Sequence, residues 1–136
     1  MLQPARRKHR KDFRGRRQGL AFRGSDISFG EYGLKALSVV WMSAAQIEAG
    51  RRAITNSLKR KGRLWIRVFP DKPVTGRTAG QRMGSGKGEI DRYVAVVKPG
   101  RIIYEVAGVP EDQVIRAFEK AASKMPFKTR VIKKGE

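Results

Sequence analysis

The chain has 136 residues, no cysteine, and 31 Lys and Arg against 12 acids, for a net charge of +19 and a pI near 11.3. That length suits one compact domain with a tail, and the lack of cysteine excludes disulfides, thiolate metal sites and a Cys nucleophile, which fits a reducing compartment. No apolar run approaches the roughly 18 residues of a membrane span and the N-terminus lacks a signal peptide's apolar centre, so a polyanionic partner and no membrane are expected.

Residues 1–25 read as an extended basic arm. They carry Arg6, Arg7, Lys8, Arg10, Lys11, Arg14, Arg16, Arg17 and Arg23 against the single acid Asp12. Leu2, Phe13, Leu20 and Phe22 show no steady period, so the segment buries too little surface to offset the entropy of ordering. Glycines at 15, 19 and 24 let the backbone turn close to a surface. The reading is an RNA-tracking arm; a solvated tail is the plainer alternative.

Residues 26–136 read as one globular α+β domain. "DISFGEYGLKAL" suggests a short strand followed by irregular structure. Ser43 and Gln46 form a capping box, and the spacing predicts a helix from there to a stop at Gly62. Ala44, Ile47, Ile54 and Leu58 make its apolar stripe. Arg52 and Lys59 share another face, while Arg51 sits at the stripe's margin, open to either side. Lys59, Arg60 and Lys61 would crowd the last turn, where the helix dipole also favours cations; capping electrostatics alone would explain that trio.

"RLWIRVF", 63–69, alternates as a strand. Leu64, Ile66 and Val68 face one way. Arg63, Trp65, Arg67 and Phe69 face the other, a mixture able to meet RNA, though a half-buried second face is the preferred reading for Trp65 and Phe69. The stretch 70–91, rich in Gly and Pro, reads as a long loop. Lys98-Pro99-Gly100-Arg101 has type II turn chemistry and predicts a hairpin of 92–98 with 101–107. Pro110 opens a second helix at N1, with Glu111 and Asp112 in its first turn. Val114, Phe118, Ala121 and Met125 form its stripe, Pro126 stops it, and 127–132 supplies a last strand. The expected architecture is a small mixed or antiparallel sheet with two helices.

The segment "GQRMGSGKG" looks like a phosphate cradle but fits no nucleotide motif. A P-loop would need Gly where Gln81 stands and Ser or Thr where Gly88 stands; a dinucleotide fingerprint from Gly84 fails at Glu89. No helix start follows to hold a pyrophosphate. It reads as a small-residue finger with cations at Arg77, Arg82 and Lys87, whose glycines let backbone approach phosphates; a disordered surface loop is the alternative. His9 is the only histidine, the pair Glu89 and Asp91 suits turn formation and solubility, and Ser85 has no evident base. No catalytic constellation, metal site, small-molecule substrate or cofactor is expected, beyond Mg2+ carried by a bound RNA.

"WIRVFPDKPVT", "RMGSGKG", "VAVVKPGRIIYEVAGVP", "QIEAGRRA" and the opening "MLQPARRKHRKDFRGR" together resemble the bacterial and organellar large-subunit ribosomal protein sixteen family, across essentially the whole chain. The resemblance implies an α/β-hammerhead-like fold and a structural protein on large-subunit rRNA, with neighbouring ribosomal proteins as further partners. It implies a place near the peptidyl transferase centre and A-site tRNA, and entry late in subunit assembly. It places Arg82, Met83, Gly84, Gly86, Lys87 and Gly88 in a finger toward the functional centre, with Arg82 at a position hydroxylated in some bacteria. Arg51 and Arg52 match positions near tRNA and near the orthosomycin antibiotic site. Ala45 and Asn56 stand where members usually or often carry Arg, and Tyr93 stands where Trp is usual. Ser85 is similar to plastid and cyanobacterial members. The implied location is the large ribosomal subunit of a bacterial cytoplasm, or alternatively of a plastid. The rival from composition alone is a general nucleic-acid-binding or compacting protein not tied to the ribosome.

Overall fold

The computed structural model describes residues 2–16, 18–77, 80, 83–84 and 86–135. Along these run β1 (Tyr32–Ala36), β2 (Val40–Ser43), α1 (Ala44–Ser57), β3 (Arg63–Ile66), β4 (Lys72–Gly76), β5 (Glu89–Val97), β6 (Ile102–Ala107), α2 (Glu111–Ala122) and β7 (Thr129–Lys133). The strands form two antiparallel sheets, ordered β3-β6-β1-β7 and β2-β5-β4. The α+β class holds, with two sheets where one was expected.

The helices pack on each other and close one core with both sheets. Val114, Phe118 and Ala121 of the α2 stripe are buried as expected, and Met125 is buried too, but beyond the helix, which ends at Ala122 rather than at Pro126. Ile47, Ile54 and Leu58 of α1 are buried too, and each such side chain removed from water contributes about 1.5–3 kcal/mol. Ile54→Ala would therefore cost about 2–5 kcal/mol, cavity included. The α1 start is the capping box read from sequence. Ser43 Oγ accepts the Gln46 N–H at 3.2 Å and the Gln46 side chain accepts the Ser43 N–H at 3.0 Å.

The end of α1 differs from expectation. The helix stops at Leu58, not at Gly62. The Arg60 N–H reaches the Thr55 carbonyl at 3.1 Å and the Lys59 N–H the Asn56 carbonyl at 3.3 Å, which is a Schellman closure. Lys59 and Arg60 take positive φ, 52° and 62°, where glycine is the usual occupant. Lys59–Lys61 therefore lie beyond the last turn. Gly62, with φ 72°, makes the next bend into β3; a Cβ there would stand 2.5 Å from the Ala107 carbonyl oxygen.

Further expectations are corrected. The stretch 70–91 contains β4 and the start of β5, so the loop proper is 77–88. Pro73 is tolerated because β4 is an edge strand, where its missing N–H breaks no ladder. The type II turn forms, with Gly100 at φ 98° and the Arg101 N–H on the Lys98 carbonyl at 3.2 Å, but no hairpin follows. β5 pairs with β2 and β4, while β6 pairs with β1 and β3. The first strand forms at 32–36 rather than at Ile27 and Phe29, β3 ends at Ile66, and Pro110 is the N-cap of α2 rather than its first residue. A register shift after Leu34 marks a bulge in the β1–β6 pair.

Candidate nucleic-acid interface

The basic arm lies against the molecule and is tied to the glycine loop. Lys87 Nζ donates to the Asp12 carbonyl, Lys11 Nζ to the Lys87 carbonyl at 3.1 Å, and Arg10 pairs with Glu89 at 2.8 Å. The Lys87 ammonium also stands 5.9 Å from the centre of the Phe13 ring. These residues are 75 to 79 apart in sequence, yet they make one junction of arm and finger. All the side chains in it but those of Lys11 and Asp12 are exposed, so their ion pairs add little stability and are open to exchange for phosphate.

Lys72 and Arg101 anchor the arm further along. Lys72 Nζ donates to the Arg14 carbonyl and lies 5.0 Å from the centre of the Trp41 ring. Arg101 donates to the Arg23 carbonyl at 3.2 Å and to the Arg67 carbonyl at 2.8 Å. Sequence reading missed both, because nothing local announces a partner 58 or 78 residues away. Within the arm, half-buried Arg7 grips Asp12 through two contacts, 2.9 and 3.0 Å, so it braces the arm. Arg6, Lys8, Arg10, Arg14, Arg16 and Arg23 are exposed. Leu2 packs on the core's margin.

The finger is shaped by its own cation. Arg77 donates to the Gly84 carbonyl at 2.7 Å and to the Gly86 carbonyl. Met83 is 99% exposed. At the finger's base a Cβ on Gly88 would lie 2.6 Å from the Gly76 carbonyl oxygen, so the two chain segments meet backbone to backbone there. Arg17, Arg82 and Ser85 lie outside the described residues.

On α1, Glu48 gathers the two helix arginines. Arg51 Nε donates to Glu48 at 3.0 Å, its Nη2 makes a second bond, and Arg52 Nε donates at 3.2 Å. The Arg51 hydrogen bond, reinforced by Arg52, holds the Glu48 carboxyl down at about 2. Arg51 is half-buried and Arg52 exposed, which settles the open orientation of Arg51 toward the margin. Lys59, Arg60 and Lys61 are exposed beyond the helix. No basic residue lies in the last turn of α1, but Lys59 and Arg60 follow its C-cap directly, where cations still suit the carbonyl end of the dipole.

No groups of three or more His, Cys, Asp or Glu able to hold a metal occur among the described residues, and among them no helix is long and apolar enough to cross a membrane. The family described as ribosomal protein L16p/L10e matches residues 4–132. The chain is 56% identical over 132 residues to the large ribosomal subunit protein uL16c of Atropa belladonna, covering 97% of this chain and 98% of that protein. The uL16c of Solanum lycopersicum matches with the same identity and coverage.

Proposed function

Because the chain belongs to the ribosomal protein L16p/L10e family, we propose that it docks on large-subunit rRNA near the peptidyl transferase centre and contacts or positions A-site tRNA. Its role is structural, in the large ribosomal subunit, with rRNA and other ribosomal proteins as partners. Both relatives are of the plastid type, which favours a plastid ribosome over a bacterial one.

The observation that carries the finer reading is the junction of arm and finger through Lys11, Asp12 and Lys87. It joins two basic segments into one exposed surface before any partner arrives. On this reading residues 1–25 are the rRNA-binding arm of a single domain, 26–136. Arg6, Lys8, Arg10, Lys11, Arg14, Arg16, Arg17 and Arg23 replace counterions on rRNA phosphates, as do Arg77, Arg82 and Lys87 of the finger. Arg7 does so less, being paired to Asp12. Met83, Gly84, Gly86 and Gly88 give the finger the slimness to enter a narrow space, and Arg82 is the residue for hydroxylation. Arg51 and Arg52 form the helix-side contacts toward tRNA, and Lys59, Arg60 and Lys61 add RNA contacts just beyond the helix. Specificity comes from folded RNA shape more than from base edges. No cofactor is needed beyond Mg2+ held by rRNA. Incorporation late in assembly follows from a site built by already folded rRNA.

Sedimentation of the tagged chain from a lysate tests this. It should travel with the large subunit and resist salt that strips exchangeable basic proteins. On isolated large-subunit rRNA, neutralising six to ten phosphates should weaken binding by about 10³–10⁵ between 50 and 200 mM salt. A chain that stays at the top of the gradient or follows DNA would belong instead to the general nucleic-acid binders.

A further inference from the structure

The four-stranded sheet has a built aromatic surface on the side away from the helices. Tyr104 faces the helices, its hydroxyl donating to the Ile47 carbonyl at 2.6 Å. Its neighbour Glu105 therefore faces the opposite side, and Trp65 on the edge strand β3 stands directly across from it. Phe29 lies on Trp65, with ring centres 6.1 Å apart and planes 20° from parallel. The Arg67 guanidinium is 5.0 Å from the Phe29 ring centre.

Phe29 is held firmly yet left in water. Fully buried Glu105 accepts the N–H groups of Ser28 at 2.7 Å, Phe29 at 3.1 Å and Gly30 at 3.3 Å, and pairs with Arg67 at 2.6 Å. Despite that anchorage Phe29 remains 60% exposed. A ring whose task was to complete a core would be covered, since its buried area is the source of its stabilisation. Here a buried carboxylate, itself expensive to desolvate, fixes the backbone of a ring that faces solvent. Arg63, two residues before Trp65, is exposed on the same strand face.

We propose that Phe29, backed by Trp65 and Arg67, is a stacking platform for an unpaired rRNA base, with Arg63 meeting an adjoining phosphate. The proposal rests on the rRNA-binding reading above. Unpaired bases stack on aromatic rings and guanidinium planes. Arg67 is already paired with Glu105, but the exposed Arg63 on this strand face and the +19 charge favour such a strand over an apolar protein surface, which would have to desolvate that cation.

The test compares the full chain with Phe29→Leu and Phe29→Tyr on two probes: a mixed-sequence single-stranded RNA, and an abasic phosphodiester strand of equal length. Phe29→Leu should bind the base-bearing strand about tenfold more weakly, within the range for losing one stacking aromatic. Its binding to the abasic strand and its salt slope should be unchanged, and Phe29→Tyr should behave as the native chain. Ultraviolet crosslinking of the native chain gives a second readout that needs no variant: a crosslinked peptide containing Phe29 is expected. A Leu variant that binds the base-bearing strand as tightly as the native chain overturns the platform and leaves this face to a protein neighbour, as do crosslinks confined to other peptides. If the native chain binds neither probe with salt-dependent affinity, the rRNA-binding reading itself falls.

Discussion

Glu105→Ala removes the acceptor of four hydrogen bonds from the centre of the larger sheet. It strands the guanidinium of Arg67, whose side chain is only 17% exposed, and three N–H groups of residues 28–30. Removing one partner of a buried pair costs about 3–5 kcal/mol. Partial rehydration of Arg67 and the 28–30 segment places the expected loss at the lower end, about 3 kcal/mol, a large share of a typical 5–15 kcal/mol. Urea unfolding at pH 7, followed by circular dichroism, measures it. The pH dependence adds a sign. Burial pushes the Glu105 carboxyl up, but Arg67 and the backbone N–H groups of Phe29, Gly30 and Ser28 outweigh it and hold the group below its ordinary value. A carboxyl depressed in the folded state contributes stability above its unfolded pKa and loses it as pH falls through the folded one. The gap between native chain and Glu105→Ala should therefore be full at pH 7 and narrow on acidification below about pH 4.3. A loss under about 1 kcal/mol, or a gap that widens in acid, would refute the argument.

Lys59→Gly should stabilise the fold by about 1 kcal/mol by removing a side chain from the left-handed C′ position, while weakening rRNA binding; urea midpoints and salt-titrated binding check the two halves separately. The Glu48 carboxyl should titrate by NMR near 2 rather than near 4.5, and Glu48→Gln, by releasing Arg51 and Arg52, should tighten rRNA binding with a salt slope steeper by about one. Gly50→Ala should destabilise by about 1–3 kcal/mol despite a helix-propensity gain near 1 kcal/mol, because the new Cβ would stand 2.4 Å from the buried Tyr104 hydroxyl oxygen; a urea midpoint at or above the native one would count against that packing.

What the sequence determined by itself was local. The capping box at Ser43, the α2 stripe from Val114 to Ala121 and the turn at Gly100 each depend on residues within a few positions, so period and turn chemistry suffice to find them. The strand alternation at 63–66 was legible for the same reason, as was the concentration of cations in the arm and finger. The family, too, was legible, from long motifs spread over the chain.

Partnership at long range was decided only by the tertiary structure. The turn at Gly100 looked like a hairpin, but β5 and β6 each found two other neighbours, and no local signal ranks those pairings. β2 reads Val-Trp-Met-Ser, with no alternation of apolar and polar residues, and β4 hid behind a proline that an edge position allows. The sequence marked Arg51 and Arg52 as cations without showing that Glu48 holds both. Lys72 and Arg101 carried no signal, since the carbonyls they anchor come from the arm. Glu105 read as one polar residue in an apolar strand; its meaning depends on Arg67, 38 residues away, and on a loop 75 to 77 residues away. A charge is visible in the sequence, but whether it is paired, buried or open to a phosphate is set by what the fold brings within about 3 Å of it.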